Sequence, residues 1–246
     1  CFSRRCIHSL RVSARLCVGM MTESSGGEFI LYVGLVHYHN GRIMHCLFFN
    51  IASHQATFAV VTKESILAIK TVEDVVRDDQ LPGSIEEVLR EASITFKDLT
   101  HIACVVGPGG FTSLRVAVTY ANVLADQLDI PLAGIHLADL CSAQCKEEDA
   151  VWLHSTKRQE IFVRGITKKA DHWNWPDATH LPVEDAFASI TSSAWCGELI
   201  EEHIQLAEKK GMQKVQMAPL ADVLPELLVH LHYEKKQLAP WYGRNW

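Results

Sequence analysis

The chain of 246 residues is 48% hydrophobic, which is enough for a sizeable core in one domain or two small lobes. Its apolar runs stay well below the roughly 18 residues of a membrane-spanning helix, so we expect no membrane segment and a cytoplasmic protein. The formal net charge is −6, but five Arg and two Glu give residues 1–43 a charge of +3, which leaves −9 on residues 44–246. Such an acidic body argues against strong binding of a polyanion by this chain alone.

The first 43 residues differ in composition from the rest of the chain. The sequence begins at Cys1, and its first 21 residues contain four Arg, three Ser and no acidic residue. This composition is typical of an organelle transit peptide and equally of translated upstream sequence. Met20, Met21 and Met44 are alternative starts, of which we favour Met44. We therefore expect residues 1–43 to be an extension outside the folded protein.

Three short apolar runs follow Met44. They are His45–Phe49, Thr57–Val61 and Ile66–Ile69, and polar residues separate them. Runs of this length and composition are typical of strands, and turns this short favour antiparallel neighbours. The pattern predicts an antiparallel meander.

A first helix is predicted over Ser84–Ser93. Pro82 and Gly83 break the chain before it, and Ser84 with Glu87 has the spacing of a capping box. One helical face is apolar and consists of Ile85, Val88, Leu89 and Ala92. The next apolar run, residues 101–106, predicts a buried strand.

A second helix, Thr112–Leu128, is the most informative predicted element. We expect one apolar stripe to face the sheet, consisting of Leu114, Ala117, Val118, Ala121, Leu124, Ala125 and Leu128. Val116, Tyr120 and Val123 form a neighbouring apolar flank, although a surface helix needs a stripe of only roughly 100°. This flank packs either on a helix of the same domain or on another chain, and periodicity does not separate the two.

The rest of the chain continues to alternate strands and helices. A short strand near Leu132 leads into a helix, and a second block of strands starts near Val151. A short helical turn near Ala186, a strand and a helix ending at Gly211, and a last helix containing Pro225 follow. This alternation predicts an α/β protein with two lobes, residues 44–145 and a smaller lobe of residues 146–246.

A glycine-rich turn joins the buried strand to the second helix. Glycines at a helix start let a ligand approach the backbone. The candidate nucleotide-binding residues are Gly107, Gly109, Gly110 and Thr112. However, the Lys-Ser/Thr pair of a phosphate loop and the third glycine of a dinucleotide-binding turn are missing. The same residues equally make a tight strand-to-helix turn, with Thr112 or Ser113 as the helix cap.

The segment GPGGFTSLR resembles the Gly-Pro-Gly-Ser-Phe-Thr-Gly-Leu-Arg motif of the TsaB (YeaZ) family. The matching residues are Gly107, Pro108, Gly109, Phe111, Thr112, Leu114 and Arg115. Gly110 and Ser113 depart from the motif. Similarity continues in the segments FKDLTHIACVV, LDIPLAGI and STKRQEIF and in the close Pro240–Arg244. It spans about Met44 to Arg244 and is strongest from Leu99 to Ile135.

The resemblance implies an actin/Hsp70-like ATPase (ribonuclease H-like) fold with two lobes, the second reduced. It implies a non-catalytic scaffold subunit that heterodimerises with TsaD, the transferase that forms N6-threonylcarbamoyladenosine in tRNA. The first two helices would make the interface, through Ile85, Val88, Leu89, Val116, Tyr120 and Val123. A TsaE-like ATPase is a further expected partner, and a homodimer is expected when TsaD is absent. We expect no cofactor and no metal in this chain.

Two family features are missing from the sequence. Asn50-Ile51-Ala52 stands where the family has Asp-Thr-Ser or Asp-Thr-Ala, and the segment before the first helix lacks the family's His-Ser-Glu. Whether ATP or ADP binds therefore stays open. The alternatives are an ATP-dependent small-molecule kinase of the same fold, which would need the missing Asp, and a diverged inactive paralogue.

Two other enzyme classes are disfavoured. A metallopeptidase needs two His at helical spacing, whereas His230 and His232 would lie about 200° apart on a helix. A Cys/His nucleophile has no supporting motif. Eight cysteines are scattered without zinc spacing, and we expect Cys141 and Cys145 in the core of a helix.

Overall fold

The computed structural model describes residues 43–73, 76, 79–147, 149–165 and 177–243. Residues 1–42, on which the predicted extension and two of the alternative starts fall, lie outside the described residues, as does Arg244 of the family's closing motif. Every described helix and strand belongs to the unit that begins at His45. No helix among these described residues is long and apolar enough to cross a membrane.

The first sheet has five strands in the order β3-β2-β1-β4-β5. They are β1 (Cys46–Asn50), β2 (Ala56–Val61), β3 (Ile66–Val72), β4 (His101–Gly107) and β5 (Leu132–His136). The predicted meander is confirmed, because β1, β2 and β3 pair antiparallel. β4 and β5 are added in parallel, as the helical connections that precede them require. All residues of β1 are buried, which explains a continuous rather than alternating apolar run.

Helix α1 spans Leu81–Glu91, and its predicted capping box is wrong. The N-cap is Gln80, and the Ser84 N–H donates to the Gln80 carbonyl at 3.0 Å, so Ser84 lies within the first turn. Pro82 does not break the chain here, because a proline in the first helical turn lacks only an N–H that has no partner there anyway.

Helix α2 spans Phe111–Leu128, with Gly110 as its N-cap and no side-chain cap. The predicted cap at Thr112 or Ser113 is therefore wrong, since both residues are already helical. The predicted stripe is confirmed at five positions, which are the buried residues Leu114, Ala117, Val118, Ala121 and Ala125. Leu124 and Leu128 at the edge of the stripe are half-buried and still pack against this core.

The second sheet also has five strands, in the order β10-β9-β6-β7-β8. They are β6 (Val151–Lys157), β7 (Glu160–Gly165), β8 (Thr179–Pro182), β9 (Ala194–Glu198) and β10 (Gln213–Lys214). Helices α4 (Val183–Ser189) and α5 (Glu201–Lys209) accompany it. Helix α3 (Leu137–Gln144) contacts strands of both sheets, and α6 (Leu220–Val229) packs on α3 and on β3 of the first sheet. Like the first sheet, the second sheet mixes antiparallel with parallel pairs, which gives an α/β fold with two mixed sheets.

The chain beyond α6 returns to the first sheet. Glu234 forms an antiparallel bridge with Leu132 on the β5 edge. The Asn122 side chain accepts from the Leu238 N–H at 2.8 Å and donates to the Leu238 carbonyl at 3.0 Å. The Trp241 N–H then donates to the Val106 carbonyl at 2.8 Å. The last described residues therefore contact residues that precede them by more than 100 positions.

Candidate functional site

The glycine-rich turn is filled by the protein's own backbone. Gly107 has φ +141°, and a Cβ there would lie 2.1 Å from the Trp241 carbonyl oxygen. A Cβ on Gly109 would lie 2.7 Å from the carbonyl oxygen of Ala52, in the β1–β2 turn. These two glycines are therefore required for close approach of other chain segments. Gly110 is different, because a Cβ there would meet only ordinary contacts.

A cleft of about 430 Å³ opens beside this turn. Its lining residues are Gly109, Gly110, Phe111, Thr156, Lys157, Phe162 and Tyr242. The rings of Phe111 and Tyr242 are 4.9 Å apart, and the Lys157 ammonium lies 3.3 Å from the Glu160 carboxylate. The cleft has the size and apolar lining to hold a small planar molecule. Of the four residues predicted to bind a nucleotide, Gly109 and Gly110 line this cleft and Gly107 and Thr112 do not.

Asn50 ends β1 at the position where the family carries an acid. Its Oδ1 accepts from the Ala52 N–H at 3.0 Å and from the Ser53 N–H at 3.4 Å, and its Nδ2 donates to Ser53 Oγ at 2.6 Å. The amide therefore holds its own turn in shape, and it supplies no negative charge for a metal-bound phosphate.

No group of three or more metal-ligating side chains lies together within the described ranges. The last helix ends at Val229, so His230 is its C-cap and His232 lies beyond it, and the helical spacing assumed for this pair does not apply.

A hydrogen-bonded Ser–His pair, absent from the sequence prediction, lies on the second sheet. Ser155 Oγ donates to His203 Nδ1 at 2.5 Å, and His203 Nε2–H donates to the Arg158 carbonyl at 2.9 Å. This order resembles an activated nucleophile. However, Ser155 is 0% and His203 1% exposed, so no substrate reaches them and the pair fixes α5 on β6. No local motif could have revealed it, because the two residues come from different elements.

An exposed histidine, His54, meets a buried one, His154, where the β1–β2 turn approaches β6. The ring centroids of His54 and His154 are 5.9 Å apart, and His154 stacks on Trp152 at 5.8 Å. His154 is 1% exposed, and neither of its ring nitrogens has a hydrogen-bond partner among the described residues. Glu198 Oε2 is 3.7 Å from His154 Nδ1, too far for a hydrogen bond, and accepts from the His54 N–H at 3.0 Å instead.

Burial sets the ionisation of this group. Desolvation, with smaller contributions from His54 and His136, lowers the pKa of His154 to about 3. Desolvation likewise lowers the pKa of His136 to about 4. Both imidazoles are therefore neutral at physiological pH.

The predicted α1 interface residues lie in the core. Ile85, Val88 and Leu89 are buried against the first sheet and do not reach solvent. The outer side of α1 carries exposed polar residues such as Glu86 and Arg90. These three residues therefore pack α1 onto the first sheet and do not lie on its exposed side.

The predicted α2 flank lines a groove of about 450 Å³. The lining residues are Leu81, Thr112, Arg115, Val116, Thr119, Tyr120 and Val123. Val123 is 56% exposed, while Val116 and Tyr120 are half-buried and pack against the core. The rings of Tyr120 and Phe49 meet edge to face at 6.5 Å. Burial, and to a smaller extent the Glu86 carboxylate, raises the pKa of Tyr120, so its hydroxyl stays protonated. The groove is an apolar surface with Arg115 at its rim.

Comparison with known proteins identifies a matching family and similar proteins. The model of the family described as TsaD, tRNA N6-adenosine threonylcarbamoyltransferase, matches residues 78–215. A TsaB biosynthesis protein of Buchnera aphidicola from Schizaphis graminum is 45% identical over 130 residues, which cover 53% of this chain and 54% of that protein. The TsaB protein of the Acyrthosiphon pisum strain is 30% identical over 94 residues, covering 36% of this chain and 42% of that protein. The matched segment thus spans about half the length of these curated relatives.

Comparison with solved structures supports the same fold. A Pseudomonas aeruginosa protein described as similar to peptidase YeaZ superposes with a TM-score of 0.61 at 16% identity. The match covers 82% of this chain and all of that protein. At this identity, the likeness concerns the fold and not the activity.

Proposed function

This chain belongs to the TsaB (YeaZ) family, which shares the TsaD family model, and we propose that it is a non-catalytic scaffold subunit in the formation of N6-threonylcarbamoyladenosine in tRNA. Its proposed partner is a TsaD-like transferase that carries the chemistry. Membership of this family is the reason for proposing a role in the formation of N6-threonylcarbamoyladenosine. The α2 groove supplies a physical reason for the scaffold role.

The observation that carries the proposal is the exposed apolar side of α2. Val123 is 56% exposed beside the half-buried Val116 and Tyr120, and together they line a groove with an apolar floor. An apolar helix flank in water lowers the free energy of the system when a partner covers it. A helix of the partner would fit such a groove, and Arg115 at the rim, whose guanidinium lies over the Phe111 ring, would pair with an acidic side chain of that partner.

The rest of the molecule supports a subunit without chemistry of its own. The Asn50 side chain hydrogen-bonds within the β1–β2 turn. The space beside Gly107 and Gly109 is occupied by the backbone of Trp241 and Ala52. The charge of −9 over residues 44–246 leaves tRNA contacts to other subunits. A TsaE-like ATPase as a further partner, a homodimer without TsaD, a cytoplasmic location and a reduced second lobe within residues 146–246 are parts of the same proposal.

The decisive experiment is co-purification of the full chain with a TsaD-like protein. Val123→Glu places a charge in the groove without touching the core, and we expect at least a tenfold loss of affinity, or about 1.4 kcal/mol. Val229→Glu is the matched control, because Val229 is also exposed but lies on α6, away from the groove. Equal binding by wild type and Val123→Glu, or equal loss in both variants, would contradict this use of the groove.

Substitution of Tyr120 is a weaker test. Its ring packs on Phe49, so a charge there threatens the fold as well as the interface. A double variant, Tyr120→Glu with Val123→Glu, that unfolds would show only that Tyr120 belongs to the core. The single change at Val123 separates the two effects.

A second candidate is an ATP-dependent small-molecule kinase, which would use the cleft beside Gly109 and Gly110. The neutral Asn50 speaks against it. We expect purified protein to hydrolyse no ATP with or without Mg²⁺. Robust magnesium-dependent turnover would favour the kinase, whereas a wild-type chain that neither turns over ATP nor binds the partner would indicate the inactive paralogue.

A further inference from the structure

A second groove, the α6 groove, lies away from the α2 groove and has a volume of about 580 Å³. One wall is α6, and the other is the β2–β3 turn with the start of β3. Leu67 and Ile69 of β3 alternate with Ala68, which packs in the core beneath α1 and α2, so they lie on the opposite face of the sheet. They are 40% and 39% exposed. This face of β3 therefore keeps apolar surface that no described residue covers completely.

The wall formed by α6 has an apolar row beside an acidic row. The apolar row consists of Ala221, Pro225 and Val229, which follow one another at intervals of four, and Val229 is 37% exposed. The acidic row consists of Asp222 and Glu226, which are exposed and line the same groove. An interval of four places the members of each row along one line of the helix. Pro225 has no N–H, so the Ala221 carbonyl lacks its usual helical hydrogen-bond partner and is a further acceptor.

The charges around the α6 groove are mostly negative. Glu64 of the β2–β3 turn is a third carboxylate among the lining residues, and Lys63 is the only Lys or Arg among them. None of the three carboxylates forms an ion pair with another residue that the structure describes. The groove therefore combines an apolar floor with negative charge that awaits a cationic partner.

We propose that the α6 groove is the docking site for a basic amphipathic helix of a partner protein. Apolar residues of that helix would cover the apolar row, and its Lys and Arg side chains would pair with the acidic row and Glu64. Rows at intervals of four interdigitate in the commonest packing of two helices. The charge pairs at the rim would set the orientation and the choice of partner more than the affinity. The α6 groove is separate from the α2 groove, so this inference does not rest on the proposed pairing at α2.

Other occupants fit the α6 groove less well. Each of the six described α-helices of this chain has a net charge of zero or below, so a second copy brings no basic described helix to the groove. The same carboxylates would repel a nucleic acid or an anionic membrane surface. The charge of the rim therefore selects a basic segment of another protein.

The first test uses a synthetic probe with the proposed chemistry. The probe is a fluorescein-labelled peptide of about 18 residues, long enough to form a helix, with Leu along one face, Lys beside it and Ala elsewhere. In fluorescence anisotropy, we expect it to bind the full chain with an affinity that falls as salt rises. A peptide with Glu in place of every Lys should bind at least about tenfold more weakly.

The α6 variant, Asp222→Lys with Glu226→Lys, should reverse the preference between the two peptides. Equal binding of both peptides by the wild type, or an unchanged preference in the α6 variant, overturns the proposal.

Two control variants show where the probe binds. Glu201→Lys with Glu208→Lys makes the same change of net charge on α5, where both residues are exposed, and should keep the wild-type preference. Val123→Glu places a charge in the α2 groove and should keep it too. If either control reduces binding of the Lys peptide as much as the α6 variant does, the probe responds to overall charge or to the α2 groove, and the proposal is wrong.

Amide hydrogen exchange gives a readout that depends on no substitution. In the wild type, bound Lys peptide should slow exchange in α6 and in the β2–β3 turn and leave α2 unchanged. Slower exchange in α2 alone, or unchanged exchange in α6, contradicts the docking site. Urea unfolding checks that the α6 variant is folded, and if it is not, the exchange data for the wild type decide alone.

Discussion

At pH 5, the folded protein loses unfolding free energy because His154 and His136 stay neutral in it, and replacing His154 by Leu should remove about half of that loss. His154 is 1% exposed and has a pKa of about 3 in the folded protein, against about 6.5 for an unfolded histidine. The unfolded chain therefore binds a proton between these values and the folded chain does not. The contribution of the neutral His154 to the unfolding free energy is complete above pH 6.5 and is lost as the pH falls towards 3.

The size of the effect follows from that difference. At pH 5, about 1.5 units below the unfolded pKa, His154 costs about 2 kcal/mol of unfolding free energy relative to neutral pH. His136, with a pKa of about 4, adds a similar loss, somewhat reduced because its ring is partly open to solvent. We expect the wild type to lose about 4 kcal/mol from the two groups between pH 7.5 and 5, and His154→Leu to lose about 2 kcal/mol.

Urea unfolding of both proteins at pH 7.5, 6.0 and 5.0 measures this directly. The informative quantity is the change with pH of the difference between the two proteins, because packing effects of the leucine are the same at each pH. His232→Leu is the control, since its side chain is 85% exposed. A difference that stays constant within about 0.5 kcal/mol from pH 7.5 to 5 would show that His154 is solvated or paired in the folded protein.

Two further substitutions test the segments around α2. Gly107→Ala places a Cβ 2.1 Å from a backbone oxygen at φ +141°, so we expect a loss of more than about 2 kcal/mol in urea unfolding, while Gly110→Ala, whose Cβ meets nothing closer than 3.5 Å, should stay within about 0.5 kcal/mol. Equal losses would mean that the turn is not closed as described. Asn122→Ala removes both hydrogen bonds to Leu238 and should cost about 1–3 kcal/mol and speed proteolysis of the C-terminal segment. A cleavage rate equal to that of wild type would contradict the role of Asn122.

The elements that the sequence predicts well are those whose burial leaves a plain local pattern. The stripe of α2 is one, because one buried helix face selects apolar residues at every third or fourth position. The runs of β1 and β2 are others, because every residue of these strands is buried and the apolar run is continuous. The helix starts were wrong because caps depend on backbone angles rather than on residue type alone. Gln80 and Gly110 cap without a side chain, and a propensity for Ser or Thr does not reveal them.

The candidate sites divide in the same way. The exposure of Val123 could be anticipated from the helical period. The complete burial of Ile85 depends on the elements that pack against α1, so it excludes a surface role for Ile85 only once those neighbours are known. The closing of Gly107 by Trp241 and the hydrogen bond between Ser155 and His203 join distant parts of the chain. Such pairs leave no local period, so a single sequence carries no sign of them.

The return of the segment from Glu234 to Trp241 to the first sheet bears on how the protein is made. A ribosome releases β5 long before it releases the residues that bridge its edge and fill the glycine-rich turn. Until then the nascent first sheet has an open edge at Leu132 and an empty space beside Gly107, which are sites for unwanted pairing. The segment from Glu234 to Trp241, synthesised about 100 residues after β5, therefore completes the first sheet.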